Sequence, residues 1–252
     1  MRWALAFVAF CLAALPARAE TLVLGLSQND FGITSSFVGS TITVFGTIQR
    51  DAHTVARAGK YEIAIVVRGP RSNIVTRKKA RVAGIWINNR SELFPGAPAY
   101  YAMLSSVPLG DMAGTHVLTE NSIGTSYLVL QPRDSDEEFS DKAFRDALIR
   151  LKKEQNLYYD IPGGVEFLAD SLFSATIPLP ENVVVGDYVG DAYLFRDGSL
   201  LTSEKFAFRI RKLGFEQVMY DLAHVYPAYY GIAAVLLALV TGWAAGVIFR
   251  KD

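Results

Sequence analysis

Residues 229–249 read YYGIAAVLLALVTGWAAGVIF, without a charged side chain, and Arg250, Lys251 and Asp252 follow at once. At about 1.5 Å per residue this stretch makes a helix of roughly 31 Å, the thickness of a bilayer's hydrocarbon core. It predicts one transmembrane helix, so the remaining chain must fold as a domain outside the bilayer. Tyr226, Tyr229 and Tyr230 cluster at its start, and Trp243 and Phe249 lie toward its end. Tyr and Trp favour the headgroup level, where an apolar ring can keep a wet polar tip. Pro227 suits the first turn of a helix, because it has no N–H to leave unpaired. Arg250 and Lys251 predict a cytoplasmic C-terminus by the positive-inside rule.

One side of this helix is small: Ala234, Ala238, Gly242 and Gly246 recur every four residues. Such a ridge lets a second helix approach closely in lipid, which predicts a membrane-protein partner or a homodimer. The alternative is that these small residues simply face lipid.

At the other end, residues 1–19 have the form of a secretory signal peptide. Arg2 supplies the positive charge, residues 4–15 (ALAFVAFCLAAL) the apolar run, and Ala17-Arg18-Ala19 the small-x-small pattern before cleavage. Cys11 lies inside the apolar run behind Phe10, where lipoprotein processing requires a small residue, so lipidation is not expected. Removing Arg2 and Arg18 with the signal peptide leaves 23 basic and 25 acidic side chains, a net charge of −2. The only cysteine goes too, so the exported part carries neither disulfides nor thiol chemistry. The whole chain has 252 residues with 25 basic and 25 acidic ones, a balance that argues against a nucleic-acid binder.

Between the two apolar ends the chain reads mainly as strands, an α+β pattern. Runs at 21–26, 31–37, 41–48, 61–67, 81–88 and 99–105 are short, apolar or alternating, and bounded by turn residues. In 41–48, Ile42 and Val44 alternate with Thr41, Thr43 and Thr47. Turns are expected at Arg68-Gly69-Pro70 and at Pro95-Gly96-Ala97-Pro98. Residues 111–130 suggest a short helix closed by Gly124. Residues 135–155 form a clearer one, with Ser135 and Glu138 as a capping box, Phe144, Leu148 and Leu151 on one face, and Arg150, Lys152 and Lys153 near its end. Strands return at 172–179, 187–196 and 203–211, the last two joined by Asp197-Gly198, a strong hairpin signal. Residues 214–225 read as an amphipathic helix at the membrane surface.

The resulting order is a signal peptide (1–19), a β-rich periplasmic domain (20–131), a helical segment (132–160), a second β-rich segment (161–213), a juxtamembrane helix (214–228), the span (229–249) and a cytoplasmic tail (250–252). Short strands punctuated by Gly and Pro predict an immunoglobulin-like β-sandwich with a helical insertion.

Motifs for chemistry are sparse. His53, His116 and His224 are far apart without ligand-spaced neighbours, so neither a metal site nor a cofactor is expected. No Gly-x-Ser-x-Gly, Walker or dinucleotide motif occurs, so an enzyme is the least supported reading. The one unusual charge run is Arg68, Arg71, Arg77, Lys78, Lys79 and Arg81. It suits an anion, anionic headgroups or an acidic partner; equally, it suits a solvated hairpin whose charges keep an edge strand from pairing.

Several stretches together resemble the Putative transmembrane protein family of alphaproteobacteria. They are Ser36-Phe37-Val38-Gly39 with Val44-Phe45-Gly46, Val67-Arg68-Gly69-Pro70, Arg81-Val82-Ala83-Gly84-Ile85-Trp86, Tyr101-Ala102-Met103-Leu104-Ser105-Ser106 and Tyr193-Leu194-Phe195-Arg196-Asp197-Gly198, with Tyr230-Gly231, Gly242-Trp243 and Phe249-Arg250 in the last helix. The resemblance spans nearly the whole mature chain and implies no catalytic residue. It associates the chain with sulfite-exporter-like membrane carriers. The expected protein is thus a single-pass bacterial inner-membrane protein with its bulk in the periplasm. A non-enzymatic accessory role beside a membrane partner such as a transporter comes first, and a periplasmic anion-binding or sensing module second.

Overall fold

Alternating side chains build most of the protein. In β3 (Ser40–Arg50), Ile42, Val44 and Ile48 are buried while Thr41 and Phe45 face out. In β4 (Tyr61–Arg68), Ile63, Ala64, Ile65, Val66 and Val67 are all buried, as in a strand covered on both faces. The computed structural model describes residues 20–34, 37–50, 60–133, 138–214 and 223–248. The expected signal peptide, the capping Ser135, most of the juxtamembrane helix and the tail at 250–252 fall outside them.

The protein is mainly β. One antiparallel sheet contains β1 (Glu20–Leu26), β3, β10 (Leu172–Leu179) and β9 (Val165–Phe167), in the order β1-β3-β10-β9. A second contains β2 (Asp30–Ile33), β12 (Ser199–Lys212), β11 (Gly186–Arg196), β4, β7 (Tyr101–Ser105) and β8 (Tyr158–Pro162), in the order β2-β12-β11-β4-β7-β8. It is mixed: β2 runs parallel to β12 and β8 parallel to β7. Residues of both sheets share one apolar core, so strands from 20–131 and from 161–213 are interleaved. Between β7 and β8 come α1 (Leu109–Met112), α2 (Thr115–Glu120), a 3-10 turn (Thr125–Tyr127) and α3 (Glu138–Glu154). Last comes α4 (Pro227–Ile248).

Each sheet contains a glycine whose face is occupied by an aromatic ring on the paired strand. Gly46 on β3 lies opposite Phe173 on β10, and Gly190 on β11 opposite Phe206 on β12. A Cβ on either glycine would lie 2.1 Å from the ring's Cζ. Two ion pairs, one buried and one half-buried, fasten opposite ends of the β4–β11 ladder. Near the Tyr61↔Arg196 end, Arg196 pairs with Glu20 at 2.9 Å and stacks over the Tyr61 ring at 3.9 Å. At the Arg68↔Val189 end, Arg68 pairs with Asp191 at 2.5 Å.

Several local expectations are corrected. Residues 81–88 are not one strand: the chain reverses at Ala83-Gly84, and Val82 pairs with Ile85. Neither expected turn before or after it exists. Pro70 continues the ladder, its carbonyl accepting from Ala99 N–H at 2.8 Å, and residues 95–98 lie inside a strand. The helix expected to close on Gly124 ends at Asn121, where Ser122 takes φ 52°. In α3, Phe144 and Leu148 are buried as expected, but Leu151 is exposed. Strands β8 and β9 were not legible as strands in the sequence.

Candidate functional site

The feature that the two sheets do not explain is a ribbon made by β5 (Arg71–Val82) and β6 (Ile85–Pro98). Its strands prolong the β4–β7 pair. Gly69 N–H donates to Tyr100 O and Ala99 N–H to Pro70 O, both at 2.8 Å, carrying the ladder from Arg68↔Tyr101 into Arg71↔Pro98. Twelve residues of β5 reach about 40 Å at roughly 3.3 Å each. Bulges at Ser72/Ile74 and Lys78/Lys79 twist it.

The arm's root is packed and its tip is bare. Phe94, Ala97 and Thr76 are buried at the root, and Tyr158 on β8 donates its hydroxyl to Pro98 O at 2.7 Å. Arg133 N–H donates to Leu93 O at 2.8 Å. Beyond the root, every residue from 81 to 91 is exposed. The turn is tight: Ala83 (φ 49°) and Gly84 (φ 86°) both sit in the left-handed region, as a type I′ hairpin needs. Pairing places Val82 beside Ile85 and Ala80 beside Ile87 on one face, and Arg81 beside Trp86 and Lys79 beside Asn88 on the other. The tip is therefore an aliphatic face backed by a tryptophan set among cations. Trp86 is 66% exposed.

The six expected cations do not act as one group. Arg77, Lys78, Lys79 and Arg81 line β5 toward the tip and are exposed, and Arg71 stands at the root. Arg68 does not belong with them. It lies at the end of β4, its guanidinium held by Asp191 and by Asn121 O at 2.8 Å. Arg90 on β6 pairs across from Lys78, and sequence reading missed it because it lies outside the run. A cleft of about 350 Å³ at the root is lined by Arg68, Arg71, Pro95, Pro98, Ser122 and Leu128 among others.

Four tyrosines near this end are buried and satisfied. Tyr100 donates to Pro178 O at 2.5 Å, tying the second sheet to the first, and Tyr101 donates to Ser122 O at 2.8 Å while accepting from Gly124 N–H at 2.7 Å. Burial raises the pKa of Tyr100, Tyr101, Tyr158 and Tyr188 above that of a free phenol, so all four stay neutral donors. Asp160 collects Thr125 N–H at 2.9 Å, the Thr125 hydroxyl and Lys153 Nζ at 2.8 Å, which locks α3 to the sheet. Among the described residues no three His, Cys, Asp or Glu side chains meet in a metal-like group. His116 is exposed beside Glu120 at 3.8 Å, and His53 lies outside the described residues.

Helix α4 is long and apolar enough to cross a membrane, with mean hydropathy 1.9 over residues 227–247. It is exposed along its length, and Thr241 returns its hydroxyl to Leu237 O at 2.8 Å, which satisfies it in an apolar medium. Ala234, Ala238, Gly242 and Gly246 share a face by their spacing, and a Cβ on Gly242 or Gly246 would meet nothing. The family described as "Putative transmembrane protein (Alph_Pro_TM)" matches residues 21–251. No curated protein matches the sequence.

Proposed function

The chain belongs to the Putative transmembrane protein family, and from that premise we propose a non-enzymatic accessory subunit of the bacterial inner membrane, held beside a membrane partner such as a transporter. Its β domain stands in the periplasm behind a cleaved signal peptide, and its C-terminus is cytoplasmic. The observation that carries this reading is α4: an apolar helix that none of the other described residues covers, with a low ridge on one side.

The periplasmic domain is proposed to be an immunoglobulin-like sandwich, and two observations support this. The order β1-β3-β10-β9 beside β12-β11-β4 follows the A-B-E-D and G-F-C orders of that fold, with the arm, β7 and β8 inserted after C. Tyr188, near the start of β11, donates its hydroxyl to Val184 O at 2.6 Å, four residues upstream, as the tyrosine corner of that fold does. The anion-binding alternative is weakened by the commitment of Arg68 to Asp191.

The test is cross-linking of the full chain in native membranes, with recovery of what is bound. Gly242→Leu and Gly246→Leu should each reduce recovery of a membrane protein or a second copy. Unchanged recovery from both overturns the helix-docking reading.

A further inference from the structure

We infer that the tip of the β5–β6 arm is a second membrane contact, lying in the anionic lipid surface of the bilayer that α4 crosses. This rests on residues 227–248 being the span. Three observations lead to it.

The first is composition. Over residues 71–98 the arm carries six cations (Arg71, Arg77, Lys78, Lys79, Arg81 and Arg90) against one carboxylate, Glu92, in a chain of zero net charge. The second is arrangement. Val82, Ile85 and Ile87 project from one face of an otherwise bare tip, and Trp86 sits opposite Arg81 on the other, with Lys79 next along that face. Exposed aliphatic residues at a loop tip cost solubility in water. They gain by entering an acyl boundary, where Trp prefers the headgroup level and cations meet lipid phosphates. An acidic protein partner would use the cations and leave the aliphatic face unexplained.

The third is placement. Strand β4 ends at Arg68 beside Val189, β12 pairs its Ile210 with Gly186, and Pro70 lies against Gly186. The arm thus leaves the domain at the same end from which β12 hands the chain toward α4. Fourteen residues, 213–226, separate Lys212 from Pro227, a reach of at most about 50 Å. An arm of about 40 Å springing from that end is long enough to meet the bilayer surface. Two contacts, one through the span and one through the tip, would fix the tilt of the domain over its membrane.

The native tryptophans separate this inference from the reading beneath it. With Trp3→Phe and Trp243→Phe, Trp86 is the sole tryptophan; with Trp3→Phe and Trp86→Phe, Trp243 is. Each full-length protein is placed in nanodiscs of phosphatidylcholine alone or mixed equally with phosphatidylglycerol, with acyl chains brominated to quench buried indoles. Trp243 should be quenched in both. Trp86 should be blue-shifted and quenched in the mixed discs, with the effect weakened by high salt. Each cation at an anionic surface strengthens contact about fivefold, so Lys78→Gln with Lys79→Gln should lower the docked-to-free ratio about 25-fold. Trp86 emission that stays water-like while Trp243 is quenched overturns the inference and leaves the span standing. A Trp86 shift that appears only in native membranes, and not in lipid alone, assigns the tip to a protein and overturns it too. Unquenched Trp243 instead removes the span.

Discussion

Replacing Arg68 with alanine tests whether this residue belongs to a surface charge patch or to the frame. Its guanidinium sits 2.5 Å from Asp191 and 2.8 Å from Asn121 O, and the Asp191 side chain is only 11% exposed. Truncation would leave that carboxylate shielded from water without its cation, and would free a carbonyl at the end of α2. Breaking one side of a buried pair costs about 3–5 kcal/mol. The Arg68 side chain is 27% exposed, so water repairs part of the damage and the low end, about 3 kcal/mol, is expected. In a domain of this size each kcal/mol lowers Tm by about 2–4 °C, so the loss should be about 6–12 °C. Thermal unfolding of the full chain in detergent, followed by near-UV circular dichroism, reads it. Arg68→Met combined with Asp191→Leu should recover to within about 1 kcal/mol of the parent, since two apolar side chains fill the site without a stranded charge. Single variants that each cost under about 1 kcal/mol and simply add would show an ordinary surface pair and refute the reasoning.

Gly46→Ala should cost about 3 kcal/mol, because its Cβ would strike the Phe173 ring, which is fully buried and has nowhere to go. Gly190→Ala meets Phe206 as closely, but that ring keeps a solvent edge and can tilt, so about 1 kcal/mol is expected; Gly25→Ala, with open space, should be neutral. Urea unfolding midpoints rank the three, and equal costs at Gly46 and Gly25 would contradict the packing described. Glu62 has its pKa raised by burial first and then by Asp197 and Asp111, and its Oε2 finds no hydrogen-bond partner among the described residues. A raised carboxyl pKa means the folded state holds its proton more tightly. That stability is complete below the unfolded value of about 4.3 and disappears as pH rises through the folded value. Glu62→Gln should therefore raise Tm at neutral pH and leave it unchanged near pH 4; a gain that is equal at both would exclude the titration.

What could be read from sequence followed the range of the forces involved. Hydropathy and length are local, so the span emerged from residues 229–249 alone. Period-two alternation placed β3, and Asp197-Gly198 placed the β11–β12 turn, with both residues at positive φ. The arm was not legible because its signals conflict. Its true turn at Ala83-Gly84 lacks the usual Asn or Asp, and alanine there takes a conformation that its Cβ disfavours. Meanwhile Gly69-Pro70 and Pro95-Gly96 look like turns, yet the ladder continues past both, with Pro95-Gly96 taken up in a bulge. Arg68 shows the same limit in one side chain. Nothing near position 68 reveals Asp191, which lies 123 residues away, so a cation that composition assigns to a patch becomes a strut once β4 and β11 pair. The sequence alone determined the class of environment each segment needs, apolar bilayer or half-buried sheet. Tertiary structure decided which strands meet, because pairing energy is nonlocal, and thereby which charges are tied and which remain exposed at the tip of the arm.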